Sequence, residues 1–212
     1  MSLVIDFDGV LNDVSARYLR VHRLLVGDGA LKLDEYWTLK RRRAPIAEVL
    51  AADGVDTRVE ASYRAGWLAA IENAEYLDAD RPIPGAVDAL RRLAEGHRLV
   101  LASLRRRPDA LADQLVGRGI RGLFAEVLVG DPEGGRRSKA AAIGASSLGR
   151  EAAWIVGDTE VDLRAGRALG IRTAAVLTGI RDRSSLAAER PDLITEDLPA
   201  FARTIGRGDM NR

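Results

Sequence analysis

Two acidic residues follow the first apolar stretch of the chain. The run Leu3–Ile5 leads into Asp6, Asp8 and Gly9. Because this run is apolar and rich in β-branched residues, it predicts a strand that is buried on both faces. Period two then places both carboxylates on the same side of the chain, and Gly9 permits a tight turn and the close approach of a ligand. Neighbouring carboxylates repel each other unless a cation lies between them or one is protonated. The stretch therefore indicates a catalytic acidic pair or, alternatively, a turn and a helix N-cap.

The composition excludes several kinds of site. The 212 residues include no cysteine and two histidines, which excludes disulfides, thiol nucleophiles and zinc sites with cysteine ligands. With 32 basic and 31 acidic residues the net charge is +1, so no general attraction for nucleic acid or membranes is expected. No apolar run approaches about 18 residues, and the first strand leaves no room for a signal peptide. We therefore expect a cytoplasmic protein.

Strand and helix patterns alternate along the chain. Further strands are predicted at Leu99–Ser103, Phe124–Val129, Ala152–Val156, Thr173–Leu177 and Leu193–Ile194. Strands separated by helices predict an α/β fold with a parallel, Rossmann-like sheet. From Asp13 to Arg81 the pattern is helical with no strand. We therefore predict an α/β core of residues 1–12 and 84–212, with an all-helical module, residues 13–83, inserted into it.

Polar side chains follow several predicted strands or begin the adjoining helices. They are Asp6 and Asp8, Ser103, Lys139, and Asp158 with Asp162. The last two are four residues apart, so the start of a helix would place them on one face. Carboxylates are the hard oxygen ligands that Mg²⁺ prefers, while a lysine and a hydroxyl can bind phosphate oxygens. Together these side chains suit Mg²⁺-assisted phosphoryl transfer.

Four segments in this order resemble the motifs of the haloacid dehalogenase (HAD) superfamily of phosphohydrolases. They are D-F-D-G-V-L beginning at Asp6, the strand Leu99–Ser103, Lys139, and G-D-T-E-V-D at Gly157–Asp162. The inserted helical module resembles the family's helical cap, as in phosphoglycolate phosphatase and β-phosphoglucomutase. The resemblance extends over nearly the whole chain.

The resemblance implies the catalytic roles. Asp6 would attack phosphorus and form an aspartyl-phosphate, and Asp8 would protonate the leaving oxygen and then take a proton from water. Ser103 and Lys139 would bind the phosphate oxygens, and Lys139 would also steady Asp6. The acid at Asp8 argues against the dehalogenase and phosphonatase branches of the family.

The resemblance also implies the metal ligands. Mg²⁺ would be held by Asp6, the backbone carbonyl of Asp8, and Asp158. Asp162 would either belong to the metal shell, which we favour, or serve the start of its helix. Because the candidate site supplies only oxygen ligands, Mg²⁺ is expected rather than Zn²⁺.

The function predicted is that of a Mg²⁺-dependent phosphatase acting on a small phosphorylated metabolite. One alternative is a phosphomutase, for which His22 is the nearest candidate for the histidine that the resemblance places near Tyr18. Another is a non-catalytic relative that binds phosphate or a partner. No nucleic acid or membrane partner is expected, and the sequence leaves the substrate and the oligomeric state open.

Several residues have two interpretations. Leu104 stands where many relatives have Asn, and Arg105–Arg107 either compensate for it or form a solvated run of charge. Lys32, Lys40 and Arg41–Arg43 either meet a second anionic group of the substrate or form a solvated basic face. Trp37 and Trp67 belong either to the core of the cap or to a platform for the ligand.

Overall fold

Six parallel strands form the centre of the molecule. The computed structural model describes residues 1–27, 29–131 and 138–208. Residues 132–137 and 209–212 of the predicted core, and residue 28 of the predicted helical module, lie outside the described residues. The strands are β1 (Ser2–Ile5), β4 (Arg98–Ser103), β5 (Phe124–Val129), β6 (Ala152–Gly157), β7 (Arg172–Val176) and β8 (Leu193–Thr195). They lie in the order β5-β4-β1-β6-β7-β8, and all neighbours are parallel. The predicted α/β class is confirmed.

Helices fill the inserted module and cover both faces of the sheet. The module contains α1 (Ser15–Val26), α2 (Leu33–Arg41), α3 (Ile46–Ala52), α4 (Glu60–Ala70) and α5 (Ala74–Leu77). The other helices are α6 (Ala86–Gly96), α7 (Pro108–Gly117), α8 (Lys139–Ala145), α9 (Ser147–Arg150), α10 (Glu160–Leu169), α11 (Arg183–Ala188) and α12 (Leu198–Gly208). Among the described helices, none is long and apolar enough to cross a membrane.

Two predicted helices are interrupted. The helix predicted from Thr57 to Leu77 is a 3-10 turn followed by α4 and α5, because Asn73 adopts extended backbone before α5. The helix predicted for Ser138–Leu148 breaks at Ser146, whose hydroxyl accepts a hydrogen bond from the N–H of Gly149 at 2.9 Å and so caps α9. Ser favours such a break because its side chain competes with the helical hydrogen bonds, whereas the Asn73 side chain makes no capping hydrogen bond.

The central strand is buried on both faces, as its apolar run predicts. Leu3 and Ile5 pack in one core cluster with residues of α6, α7 and α12. Val4 points to the opposite face and packs with Ile143 of α8 and Ala165 of α10. Since side chains alternate along a strand, three consecutive apolar residues supply both faces.

The strand order reverses direction at β1. From β1 the chain passes to β4 and β5 on one side, and β6, β7 and β8 then follow on the other side. The carboxyl ends of β1, β4 and β6 are therefore adjacent at the switch point of the sheet. Ligands of open α/β sheets bind in the crevice at such a point.

The chain enters and leaves the helical module through a short antiparallel ribbon. Here β2 (Asn12–Asp13) pairs with β3 (Arg81–Pro82), and the Asn12 amide donates to Asp80 at 3.2 Å. The prediction that no strand occurs from Asp13 to Arg81 is thus wrong at both ends. Two chain segments that cross side by side satisfy their backbone groups by pairing with each other. Between these ends, residues 14–27 and 29–80 contain no strand.

Candidate active site

Three carboxylates meet where β1 and β6 end. Asp6 follows β1, Asp158 follows β6, and Asp162 lies in the first turn of α10. One carboxylate oxygen of each lies within 4.8 Å of the others. The N–H of Asp6 donates to the carbonyl of Val156 at 3.0 Å, which joins the two strand ends. The predicted sheet edge therefore does bring these three residues together.

Two glycines leave room for Asp158. Gly9 has φ +77°, a left-handed conformation that L side chains rarely adopt. A Cβ at Gly9 would lie 2.2 Å from Oδ2 of Asp158, and one at Gly179 would lie 1.8 Å from it. The backbone N–H of Ile180 donates to the same oxygen at 2.7 Å. The position of this carboxylate therefore depends on both glycines.

Lys139 lies between two of the carboxylates. It begins α8, with the Ser138 hydroxyl as N-cap, and its Nζ lies 2.9 Å from Oδ1 of Asp6 while also pairing with Asp162. Burial alone would lower the pKa of Lys139, but Asp162 and Asp6 hold it above its usual value. The ammonium is therefore charged, and it is a single positive charge beside three carboxylates.

The negative charge of the three carboxylates exceeds the positive charge that Lys139 supplies. Burial raises the pKa of Asp6 to about 7, with a smaller upward contribution from Asp162 and an opposing effect of Lys139. Burial, Asp6 and Asp162 together raise the pKa of Asp158 well above its usual value. Buried carboxylate oxygens that share a charge deficit are the donor set that a hard divalent cation such as Mg²⁺ prefers. The residues present thus fit the predicted metal.

Asp162 uses both of its oxygens within the protein. Oδ2 accepts from the N–H of Thr159 at 3.1 Å and from its hydroxyl at 2.6 Å, which forms a capping box at the start of α10. Oδ1 pairs with Lys139. The structure thus shows the helix-start role that the sequence left as an alternative. Its membership of the metal shell stays a prediction.

Asp8 is held by two arginines rather than by the acidic cluster. Its Oδ2 lies 2.5 Å from Nε of Arg105, and its Oδ1 lies 2.8 Å from Nη2 of Arg105 and 3.1 Å from Nη2 of Arg17. Burial alone would raise the pKa of Asp8, but Arg105 and Arg17 hold it well below its usual range. Arg105 is 4% exposed. Arg105 is thus a site residue and does not belong to a solvated run of charge.

A second buried acid, Asp80, completes this network. Its Oδ1 lies 3.1 Å from Nε of Arg17, and its Oδ2 accepts from the amide of Gln114 at 3.1 Å. The Gln114 carbonyl accepts in turn from Arg105 at 3.1 Å. Sequence reasoning missed Asp80 and Arg17. The pattern held no signal for them, because Arg17 lies off the apolar face of its helix, as its exposed helical neighbours also do.

One cavity of about 270 Å³ contains most of the predicted site. It is lined by Asp6, Asp8, Ser103, Lys139 and Asp158, together with residues of the helical module. Ser103, at the end of β4, is 3% exposed, and its Oγ accepts from the N–H of Arg105 at 3.3 Å. The structure thus places a hydroxyl, an ammonium and carboxylates around one space.

Comparisons with known proteins agree with this arrangement. Residues 128–201 match the family model described as HAD-hydrolase-like. The structure is similar to that of a haloacid dehalogenase-like family hydrolase from Streptococcus pneumoniae, with TM-score 0.74 and 19% identity over 96% of this chain and 97% of that one. The chain has the HAD-like hydrolase fold. The predicted resemblance is confirmed at this level.

Two further HAD-like structures are similar over nearly their whole length. A protein provisionally named phosphoglycolate phosphatase from Lactobacillus delbrueckii subsp. bulgaricus has TM-score 0.70 and 19% identity, over 96% of this chain and 97% of that one. The provisionally assigned HAD-hydrolase YfnB from Bacillus subtilis, bound to magnesium, has TM-score 0.63 and 16% identity, over 97% and 98%. No curated protein of significantly similar sequence was found.

The helical module sits where this fold carries its cap, and it contacts the core on both sides of the cavity. Arg41 donates to the carbonyl of Leu177 at 2.9 Å, and Arg43 pairs with Glu160 at 3.3 Å. On the other side Glu72 accepts the N–H groups of residues 106 and 107 at 2.9 and 2.8 Å. Arg41 and Arg43 thus join the cap to the core, which neither interpretation of the basic run anticipated.

His22 lies inside the cap and away from the cavity. It is fully buried, with Nδ1 2.9 Å from the Tyr63 hydroxyl and Nε2 2.9 Å from Asp53. It is not among the residues that line the cavity. The phosphomutase alternative therefore loses the residue on which it depended.

Proposed function

We propose that this chain is a Mg²⁺-dependent phosphatase that hydrolyses a small phosphorylated metabolite through an aspartyl-phosphate. The observation that supports it most directly is the position of Asp6, which lies at the switch point of the sheet between Lys139 and a second carboxylate. The HAD-hydrolase-like match and the likeness to HAD-like structures support the same class of reaction.

Asp6 is the proposed nucleophile. Its Oδ1 accepts from the N–H of Phe7 at 2.8 Å and lies 2.9 Å from Nζ of Lys139. We therefore assign Oδ2 as the atom that attacks phosphorus. A bond forms between Oδ2 and phosphorus while the ester P–O bond breaks, and water then hydrolyses the acyl phosphate. Lys139 and the hydroxyl of Ser103 bind the phosphate oxygens.

The proposed metal ligands are Asp6, Asp158 and the backbone carbonyl of Asp8. When bound, Mg²⁺ offsets the repulsion between these carboxylates and the phosphate. We propose that Asp162 acts by holding Lys139 against Asp6, because both of its oxygens already have partners.

Asp8 is the proposed acid and base. The two arginines keep it as a carboxylate, which suits the second step, in which it takes a proton from the attacking water. In the first step it must carry a proton to the leaving oxygen, and this requires one arginine contact to loosen. Because Arg17 belongs to the cap, we propose that movement of the cap provides this.

We propose the predicted domain division as well, with a core of residues 1–12 and 84–212 and a cap of residues 13–83. The ribbon between β2 and β3 supports it, since both crossings lie side by side there. These crossings would serve as the hinge.

The test is phosphate release from p-nitrophenyl phosphate and a panel of phosphorylated metabolites, with Mg²⁺ or with EDTA. We expect release that requires Mg²⁺ and is absent in Asp6→Asn. Trapping the intermediate with borohydride and locating the modified residue by mass spectrometry should identify Asp6. Metal-independent release, or release by Asp6→Asn, would contradict the mechanism. Interconversion of hexose phosphates would indicate a phosphomutase instead, and binding without turnover a non-catalytic relative.

A further inference from the structure

We propose that the cavity favours phosphate monoesters whose leaving group is small, uncharged and largely apolar, such as a single aromatic ring, over those that carry a second anionic group. This rests on the proposed function and names its substrate class. It departs from phosphoglycolate, whose leaving group carries a carboxylate.

The wall that the cap contributes is largely apolar. It consists of Val14 and Tyr18 from the start of the cap, and Trp67, Leu68 and Ile71 from the α4 region. The rings of Tyr18 and Trp67 meet edge to face, with centroids 5.0 Å apart. Burial raises the pKa of Tyr18 to about 12, so its hydroxyl stays neutral. A planar ligand ring gains both apolar burial and ring contacts at such a wall.

The charged groups beside this wall already have partners. Arg17 pairs with Asp8 at 3.1 Å and with Asp80 at 3.1 Å. Arg105 contacts Asp8 with two nitrogens. Glu72 and the exposed Arg106 also line the cavity, so this part of its rim carries one charge of each sign rather than an unmatched cation. A ligand carboxylate would have to compete with these buried pairs, and breaking such pairs is costly.

Lys40 lies close to the aromatic wall without lining the cavity. Its Nζ lies 5.1 Å from the ring centroid of Trp67 and 5.8 Å from that of Tyr18. Both rings line the cavity, and Lys40 does not. Its charge is therefore engaged with the rings rather than presented to a ligand.

The core side of the cavity and its size support the same substrate class. Leu104 and Val161 also line the cavity, and Val161 is 39% exposed. The volume of about 270 Å³ is smaller than that of most drug-sized ligand sites, which begin at about 300 Å³. Since the phosphate takes part of this space, one ring or a short alkyl chain fills the rest.

The binding test uses two phosphonates that cannot be hydrolysed at the P–C bond, benzylphosphonate and phosphonoacetate. Their dissociation constants are measured by calorimetry with Mg²⁺ present. We expect benzylphosphonate to bind about tenfold or more tightly, the order of discrimination that apolar pockets provide. Equal affinity for the two phosphonates would overturn the inference. Tighter binding of phosphonoacetate, weakened by Arg106→Ala, would overturn it as well and would point to an anion subsite at the rim of the cavity.

A cation added to the wall should change this preference. Leu68 is 44% exposed on α4 and lines the cavity, so Leu68→Lys should fold and should reduce the preference about tenfold. Leu24→Lys is the matched control, because Leu24 is 55% exposed on α1 and lies outside the cavity lining. An unchanged preference in Leu68→Lys, or an equal change in both variants, would overturn the inference.

Turnover separates this inference from the proposed function. Benzyl phosphate and 2-phosphoglycolate are both esters of primary alcohols, and kcat/KM is compared for the two. If both esters are hydrolysed and 2-phosphoglycolate has the higher kcat/KM, the proposed substrate class is wrong and the proposed phosphatase function stands. If benzylphosphonate binds more tightly than phosphonoacetate but no ester is hydrolysed, the proposed phosphatase function is wrong and the apolar subsite is supported.

Discussion

Replacing the carboxylate of Asp6 by an amide should stabilise the metal-free protein while removing its proposed activity. Burial raises the pKa of this group from 3.8 to about 7, although the side chain keeps 12% exposure. Ionised Asp6 thus lowers the free energy of unfolding by about 4 kcal/mol at pH 8. That pKa already includes the attraction of Lys139, so the neutral amide in Asp6→Asn should recover much of this penalty, a net gain of about 2 kcal/mol or more. Urea titration in EDTA measures it.

The pH dependence has a definite sign. Because the folded state binds the proton of Asp6 more tightly than the unfolded chain does, Asp6 contributes stability that is lost as the pH rises from about 4 to about 7. The gain in Asp6→Asn should therefore shrink as the pH is lowered from 8 to 5. Asp109→Asn is the control, since Asp109 is 65% exposed and should change stability little. An Asp6→Asn variant no more stable than wild type at pH 8 would refute the reasoning.

Three other perturbations follow from the same contacts. EDTA should abolish phosphate release and added Mg²⁺ should restore it. Asp158→Ala should weaken the response of the activity to Mg²⁺ far more than Asp109→Ala does. A response to Mg²⁺ that is unchanged in Asp158→Ala would exclude the acidic cluster as the metal site. Asp80→Ala should lower the free energy of unfolding, measured by urea titration, by about 3 kcal/mol, because the buried guanidinium groups of Arg17 and Arg105 lose a counter-charge. Asp78→Ala, at an exposed position, is the control and should change it by less than about 0.5 kcal/mol. Burial lowers the pKa of His22 below 6.5, so this residue contributes stability that grows as the pH rises to about 6.5, opposite in sign to Asp6. The free energy of unfolding of wild type relative to His22→Gln should therefore be greater at pH 7.5 than at pH 5.5 in urea titrations.

The edge of the sheet could be predicted because its signals are local. Leu3–Ile5 is a short run that is apolar at every position and rich in β-branched residues, which favours a strand covered on both faces. The acids Asp6 and Asp158 come directly after such strands, Ser103 is the last residue of another, and parallel strands end at one edge. The sequence therefore predicted the meeting of Asp6, Asp158 and Lys139, while their catalytic roles stay predictions.

The arginine network could not be predicted, since its members are buried only by the contact between cap and core. Arg17 occupies the same kind of position on α1 as Arg20 and Arg23, which are exposed. Helical periodicity separates apolar from polar faces and does not distinguish one polar residue from another. Asp80 pairs with Arg17 and Arg105, which are far from it in sequence, so no local pattern predicts these contacts.

The short ribbon escaped prediction for a different reason. Each of its strands has two residues, too few for a period of two to be recognised. Its pairing joins Asp13 to Arg81, far along the chain. Only the closure of the helical segment brings these backbone groups together.

The central position of β1 has a consequence for how the protein is made. This strand is synthesised before both neighbours, since Ser2 pairs with Arg98 on one side and with Ala152 on the other. A nascent chain that has passed the cap therefore carries an apolar strand with both edges unpaired, which is a hazard for aggregation. Contacts so distant in sequence also slow folding. One edge of β1 thus remains unpaired until β6 has been made, and only then can the acidic cluster assemble.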